Sequence, residues 1–304
     1  MVGGKRMKTM ANTRIKESMI DRIFVGAIYV FLILVLLAVL YPLIYIVSAS
    51  FSSPSAVTSG RVWLFPVDPT ILGYTSIFKN PQIIQGFSNS LFYTVVGTFI
   101  SVSITIMLAY PLSRKTFYGR NIIMILLVFT MVFDGGLIPL YLVVKNLNLI
   151  DTIWAILLPS ALAVFQVIIA RAFFQSTIPD ELVEASEMDG CSDIGFIFKV
   201  VLPLAKPIIA VLVLMYAVMK WNMYFDALIY LKSEELFPLQ IILRSILILN
   251  TDTSANIQEM LKMQGLKELM KYSLIVVSSI PVLVLYPFVQ KHFVKGMLIG
   301  SVKG

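Results

Sequence analysis

The sequence predicts an all-α integral membrane protein with about six transmembrane helices. Two observations carry this. The 304 residues are 58% hydrophobic and only 13% charged, with mean hydropathy +0.88; soluble domains are about 45–50% apolar and about 25% charged. The apolar residues also fall into runs long enough to cross a bilayer, which takes about 20 helical residues. The length suits one membrane domain with several spans. The net charge of +7 does not point to nucleic acid. The basic residues gather at the ends of the apolar runs, where they act as topology signals, so membrane lipid is the expected neighbour of this charge.

Residues 1–20 form a basic tail with Lys5, Arg6, Lys8, Arg14 and Lys16, expected on the cytoplasmic side and poorly ordered at its start. The membrane domain is assigned to 21–296, and 297–304 is a short cytoplasmic tail. The first span is expected from about Phe24 to Ser48. Its apolar run is too long for a signal peptide and lacks a small-residue cleavage site, so it is expected to stay as an anchor. Residues 49–86 mix Ser and Pro with Trp63, Phe65, Tyr74 and Phe78, which suits an extracytoplasmic loop. The second span is expected from Phe87 to Leu112, followed by Arg114, Lys115 and Arg120 in a short cytoplasmic loop.

The third run starts near Asn121 and is interrupted by Asp134-Gly135-Gly136 and Pro139 before resuming through Val144. Either the span is broken there, or a shorter helix ends there. An acid inside an apolar run must face protein or water. The fourth span is expected from Thr152 to Phe174, with Arg171 returning the chain to the cytoplasm. A loop at about 175–206 follows. The fifth span is expected from Pro207 to Leu231. Residues 232–271 read as a long outer segment, within which Phe237–Asn250 is apolar but short and contains Arg244. Runs of 10–14 residues are more often interfacial or re-entrant than spanning. The sixth span is expected from Tyr272 to Val294, closed by Lys291, His292 and Lys295. Both termini are thereby placed in the cytoplasm.

Catalytic chemistry is not expected. No G-x-x-x-x-G-K-[ST] phosphate loop occurs. Histidine and cysteine occur once each, as His292 and Cys191, which leaves no catalytic triad, histidine-based metal site or internal disulfide.

The 175–206 loop is the most informative stretch. It carries six acids: Asp180, Glu181, Glu184, Glu187, Asp189 and Asp193. Pro179 suits a first helical position, and Asp180 and Glu181 favour a helix N-terminus. Leu182, Ala185 and Met188 recur at helical spacing and predict one apolar side. Gly190 can take the left-handed conformation that ends the helix. Ser192 can cap a second helix over Asp193–Leu202, which Pro203 is expected to end.

This pattern resembles the EAA loop of bacterial ABC-importer permeases. Glu184, Ala185, Gly190, Leu202 and Pro203 match it, and Ser186 stands where that motif has a second alanine. The resemblance spans about residues 15–304 and is closest to the maltose-type permeases, in the branch assigned to oligosaccharides or polysaccharide fragments. It is carried further by Phe51-Ser52-Ser53-Pro54, Ala109-Tyr110-Pro111-Leu112-Ser113-Arg114, Gly135-Gly136-Leu137-Ile138-Pro139, Trp221-Asn222, Ala227-Leu228-Ile229-Tyr230-Leu231 and Lys295-Gly296.

The resemblance implies the type I importer permease fold in a bacterial cytoplasmic membrane. It implies a heterodimer with a second permease, two cytoplasmic ATPase subunits that bind the ATP and Mg, an extracytoplasmic solute-binding protein, and a saccharide substrate. It makes Glu184, Ala185, Ser186, Asp189, Gly190, Leu202 and Pro203 the ATPase-coupling residues. No cofactor is expected on this chain itself. A secondary transporter or channel acting alone, a membrane scaffold that does not transport, and an ABC permease for peptides or amino acids stay open as alternatives.

A second cluster lies in the fifth span: Lys220, Trp221, Asn222, Tyr224 and Asp226. Counted from Pro207, Lys220 lies about 20 Å along a helix, beyond the midplane. Ionisable groups at such depth usually face protein or a water-filled path. Asn222 and Asp226 are four apart and would share a helical face. Aromatic faces beside amide and acid groups suit sugar rings, so these five residues are candidates for the substrate path, with Lys220 favouring an acidic saccharide. Alternatively, Trp221 and Tyr224 belong to an interfacial belt while Lys220 snorkels outward.

Overall fold

The computed structural model describes residues 18–248 and 257–300. Helix α1 (Met19–Ser50) starts five residues before the expected span. Ser18 Oγ accepts from the Ile20 amide, and the Asp21 carboxylate accepts from the Ser18 amide; this capping box satisfies donors that a helix start leaves open. From Met19 to Leu43 every α1 side chain is exposed, and burial begins only near Ser48. A helix apolar on all sides suits lipid or another chain rather than water.

The next segment folds back on α1 through hydroxyls. Ser48 Oγ donates to the Leu64 carbonyl, Ser50 Oγ pairs with Tyr74 Oη, and Ser52 Oγ accepts from the Val67 amide. Two short helices lie here, α2 (Pro54–Thr58) and α3 (Leu72–Lys79).

Helix α4 (Pro81–Ser113) is the axis of the fold. Asn80 Oδ1 caps it by accepting from the Gln82 and Ile83 amides, and so it starts well before the expected Phe87. Its buried face carries Ser90, Thr94, Gly97, Thr98, Ser101, Thr105 and Ala109. Small residues let helix backbones approach inside a membrane.

The third run changes direction sharply after Val132. Helices α5 (Arg120–Val132) and α6 (Leu137–Asn146) meet at 114°. Gly136 sits at φ +83°, and its amide donates to Asp134 Oδ1. The fourth run is broken, contrary to expectation. A single turn, α7 (Trp154–Leu157), is followed by non-helical residues before α8 (Val164–Thr177). Pro159 lies in that gap and has no amide to donate.

Helix α9 (Asp180–Met188) leads to α10 (Asp193–Phe196), which continues through a π-helical turn, Ile197–Val201, into α11 (Leu202–Leu204). Pro203 therefore does not end the second loop helix as expected. The Leu202 amide reaches the Ile197 carbonyl, and the wide turn carries the chain past the proline. The break comes one residue after Leu204, where the chain bends by 78° into α12 (Lys206–Trp221).

The fifth run breaks as well, at 222–224, before α13 (Phe225–Tyr230). Helix α14 (Leu239–Ile248) then lies against α4 and the last helix. Its Leu239 amide donates to Ser90 Oγ. Helix α15 runs from Ile257 to Gly300 with Pro281 and Pro287 inside it. Within the expected outer segment 232–271, Leu239–Ile248 is helical, inside the short apolar run, and 257–271 are continuous with the last helix. Among the described residues three helices are long and apolar enough to span, or up to five when two bent pairs are each counted once.

The largest buried cluster joins α4, α8 and α12 beneath the α9–α11 loop. It includes Ala109, Leu112, Ala170, Phe174, Ile178, Phe196, Val201 and Leu212. Smaller clusters around Trp221 and Leu239, and around Tyr93 and Leu157, fill the opposite end.

Candidate functional site

Helix α9 is short and local in origin. Pro179 is its N-cap, one position earlier than expected, and Asp180 and Glu181 occupy its first turn. Leu182 and Val183 rest on the large buried cluster, and Ser186 Oγ returns to the Val183 carbonyl. The inward face is therefore Leu182, Val183 and Ser186, not the expected Leu182, Ala185 and Met188. Ala185 and Met188 turn outward with Glu184, Glu187, Asp189 and Gly190; Met188 is 89% exposed.

Gly190 ends the helix at φ +70°, as its position suggests, and the Cys191 amide reaches back to the Ser186 carbonyl. A Cβ at Gly190 would meet nothing within 4 Å, so conformation and not space requires glycine. Ser192 Oγ accepts from the Gly195 amide and caps α10. Ile194 and Phe198 stand exposed on the second half of the loop. Leu202 is half-buried, and Pro203 is exposed. The loop thus offers an acidic and apolar outer surface on a firmly packed base.

Two arginines hold that base. Arg114, the C-cap of α4, donates from Nη1 to the Ile178 carbonyl (2.9 Å) and from Nη2 to the Phe174 carbonyl (3.1 Å). Arg171 on α8 donates from Nε to the Leu112 carbonyl at the end of α4 (2.9 Å). The Arg114 guanidinium also lies over the Tyr110 ring, which meets Phe174 edge-on. Asp180, the first residue of α9, sits 3.6 Å from Arg114 Nη1 and 3.1 Å from Lys115 Nζ.

The five candidate path residues do not form one surface. Lys220 is only 2% exposed; its Nζ donates to Ser160 Oγ (2.7 Å) and lies 3.5 Å from the Leu157 carbonyl. Trp221 is buried too. Its indole Nε1 donates to the Ser278 carbonyl (2.9 Å), and its ring meets Phe87 edge-on. Neither outward snorkelling nor an interfacial belt describes these two. Asn222 is exposed and folds back onto the Val218 carbonyl. Asp226 lies beyond the helix break, so the shared face expected for Asn222 and Asp226 does not exist. Tyr224 is half-buried beneath the Arg244 guanidinium.

Residues without a local motif complete this region. Thr94, Thr98 and Ser101 on α4 are buried with no hydrogen-bond partner for their hydroxyls. Gly97, among them, lies against the Lys220 stem. Small hydroxyl residues at helical spacing along α4 were the available signal. Between α6 and α7, Asp151 adopts φ +62° and accepts from the Lys232 and Ser233 amides and the Ser233 hydroxyl. The Ser233 side-chain hydrogen bond, followed by the backbone amides, holds the Asp151 carboxyl below the usual carboxylate range. Residues 249–256 of the outer segment lie outside the described residues. No group of three or more His, Cys, Asp or Glu among the described residues is placed to hold a metal ion.

Comparison with known proteins fits this layout. Residues 70–299 match the family described as binding-protein-dependent transport system inner membrane component. Protein LplC of Bacillus subtilis strain 168 is 43% identical over 86% of this chain and 89% of its own length. The polygalacturonan/rhamnogalacturonan transport system permease protein YtcP of the same organism is 43% identical over 93% of this chain and 99% of its own. Among solved structures, a chain of a bacterial ABC transporter involved in import of the acidic polysaccharide alginate superposes with TM-score 0.84. It is 37% identical over 91% of this chain and 99% of its own.

Proposed function

The chain belongs to the family of binding-protein-dependent transport system inner membrane components, and from that premise we propose how it works and what it carries. It is a membrane permease of an ABC importer with the type I permease fold. It pairs with a second permease, two cytoplasmic ATPase subunits and an extracytoplasmic binding protein. ATP and Mg are bound by the ATPases. Helix α9 faces the cytoplasm and docks on an ATPase through Glu184, Ala185, Asp189 and Gly190, with Ser186 packing its base and Leu202 and Pro203 supporting the second half of the loop. Both termini lie on that side.

The observation that carries this reading is the outward face of α9, where Ala185 and Met188 stand exposed among acids. An exposed apolar side chain is ordinary on its own, but Met188, Ile194 and Phe198 of the same loop are all strongly exposed, and contact with a partner is one use of exposed apolar side chains.

The substrate we propose is an oligosaccharide or polysaccharide fragment, with uronate-containing chains the first candidates. Two similar proteins support this by what they carry, one polygalacturonan or rhamnogalacturonan and the other alginate. Because Lys220 and Trp221 are buried, we place direct sugar contact on the other candidates. Of the five candidate path residues, Asn222, Tyr224 and Asp226 keep the accessibility that role needs.

Purification through a tag on the ATPase tests the assembly, and ATP hydrolysis with a panel of ligand-loaded binding proteins tests the substrate. The chain should co-purify, and hydrolysis should rise most with acidic fragments. A chain that inserts normally but never co-purifies would contradict the assembly; stimulation by peptides alone would contradict the substrate class.

A further inference from the structure

The arginines under α9 form a reciprocal joint. A helix leaves its last carbonyls without intrahelical partners, and cations are favoured at that end. Here each of two adjacent helices takes its cation from the other. Arg114 at the end of α4 serves the Ile178 carbonyl just past α8 and shares the Phe174 carbonyl with the Ile178 amide. Arg171 on α8 serves the Leu112 carbonyl at the end of α4. Only Ile178 and Pro179 separate α8 from α9, and Ile178 is itself buried. Asp180, the first residue of α9, lies against Arg114 and Lys115. The planar guanidinium spans two acceptors in a fixed geometry that an ammonium cannot reproduce.

We propose that Arg114 and Arg171 are positioning residues for coupling: they lock the ends of α4 and α8 together at the root of α9. A displacement imposed on α9 then moves α4 and α8 as one body instead of being absorbed at Ile178–Pro179. Helix α4 packs along α12, and Gly97 of α4 touches the Lys220 stem. The joint therefore connects the loop to the interior of the bundle. The proposal rests on the reading of α9 as the ATPase-docking helix.

The test uses the whole complex with Arg114→Gln, Arg171→Gln and the double variant, measuring assembly, ATP hydrolysis and substrate transported per ATP. The ATPase should co-purify and hydrolyse ATP, while transport per ATP falls several-fold. The double variant should be no worse than the worse single one, because either change opens the same joint. Arg114→Lys should fall between Arg114→Gln and wild type. A purely structural role would lower yield or hydrolysis and leave transport per ATP unchanged; that result in both single variants overturns the proposal. If Arg114→Gln does not assemble, Arg171→Gln, which removes one bond, decides. Gly190→Val run in parallel separates the two readings. If it uncouples while the arginine variants do not, only the joint fails; if it too is without effect, the docking reading of α9 fails.

Discussion

Lys220 Nζ donates to Ser160 Oγ across 2.7 Å, tying the end of α12 to the gap between α7 and α8. The broken fourth run leaves backbone carbonyls without helical partners, and the lysine also approaches the Leu157 carbonyl. Lys220→Met keeps much of the stem volume but leaves Ser160 and Leu157 without their donor. An orphaned buried polar group costs about 1–3 kcal/mol. The thermal midpoint of the detergent-solubilised protein should fall, and adding Ser160→Ala should recover part of the loss. Unchanged midpoints would show that Lys220 is not satisfying this gap.

Trp221 is fixed by its hydrogen bond to Ser278 and by Phe87. Trp221→Phe keeps an aromatic ring and removes the donor, at a net cost of about 0.5–1.5 kcal/mol. Stability should fall while the order of preference among saccharides stays as in wild type. A changed order of preference, at normal expression, would return Trp221 to the substrate path.

Asp151 makes the attachment of 232–233 depend on pH. Its carboxyl is held below the usual range by hydrogen bonds that the unfolded chain lacks. A lowered folded value means the attachment is fully present above the ordinary carboxylate range and is lost as pH falls through the folded value. Amide exchange at Lys232 and Ser233, taken relative to the intrinsic rate at each pH, should stay slow at neutral pH and quicken only in strong acid. Asp151→Asn should quicken it at neutral pH and flatten the acid dependence. Identical profiles for both proteins would contradict this assignment.

At Gly190 the barrier is conformational. A residue with a Cβ at φ +70° is strained by about 1–2 kcal/mol, with no clash to add. Gly190→Val should insert and pack its bundle, yet lose transport. Gly190→Asn should keep more activity, because asparagine tolerates the left-handed region. Equal transport by the two variants would show that the turn is not the controlling feature.

Much of α9 was readable because its signals are local: a proline, two acids, a glycine and a capping serine within fourteen residues of one another. Its inward face was not, since Leu182, Ala185 and Met188 fit helical spacing equally well, and only contact with the α4–α8 cluster selects Leu182 and Val183. The breaks at 158–163 and 222–224 lie in stretches whose apolarity suggests continuous spans. The first is bridged by Lys220, sixty residues from Ser160. The break in the third run was partly visible, because Asp134 and two glycines mark it. The start of α15 was hidden by polar residues that read as loop but extend the last helix. Arg114 and Arg171 looked like charges marking the ends of spans, and their acceptors appear only when α4 and α8 lie side by side.

The most direct measurement is saccharide uptake into proteoliposomes containing this chain, its partner permease and the ATPase. Loaded binding protein is supplied outside and ATP inside. Uptake of an acidic oligosaccharide should require every component and should vanish when ATP is omitted. Uptake by this chain alone, down a gradient and without ATP, would contradict the account.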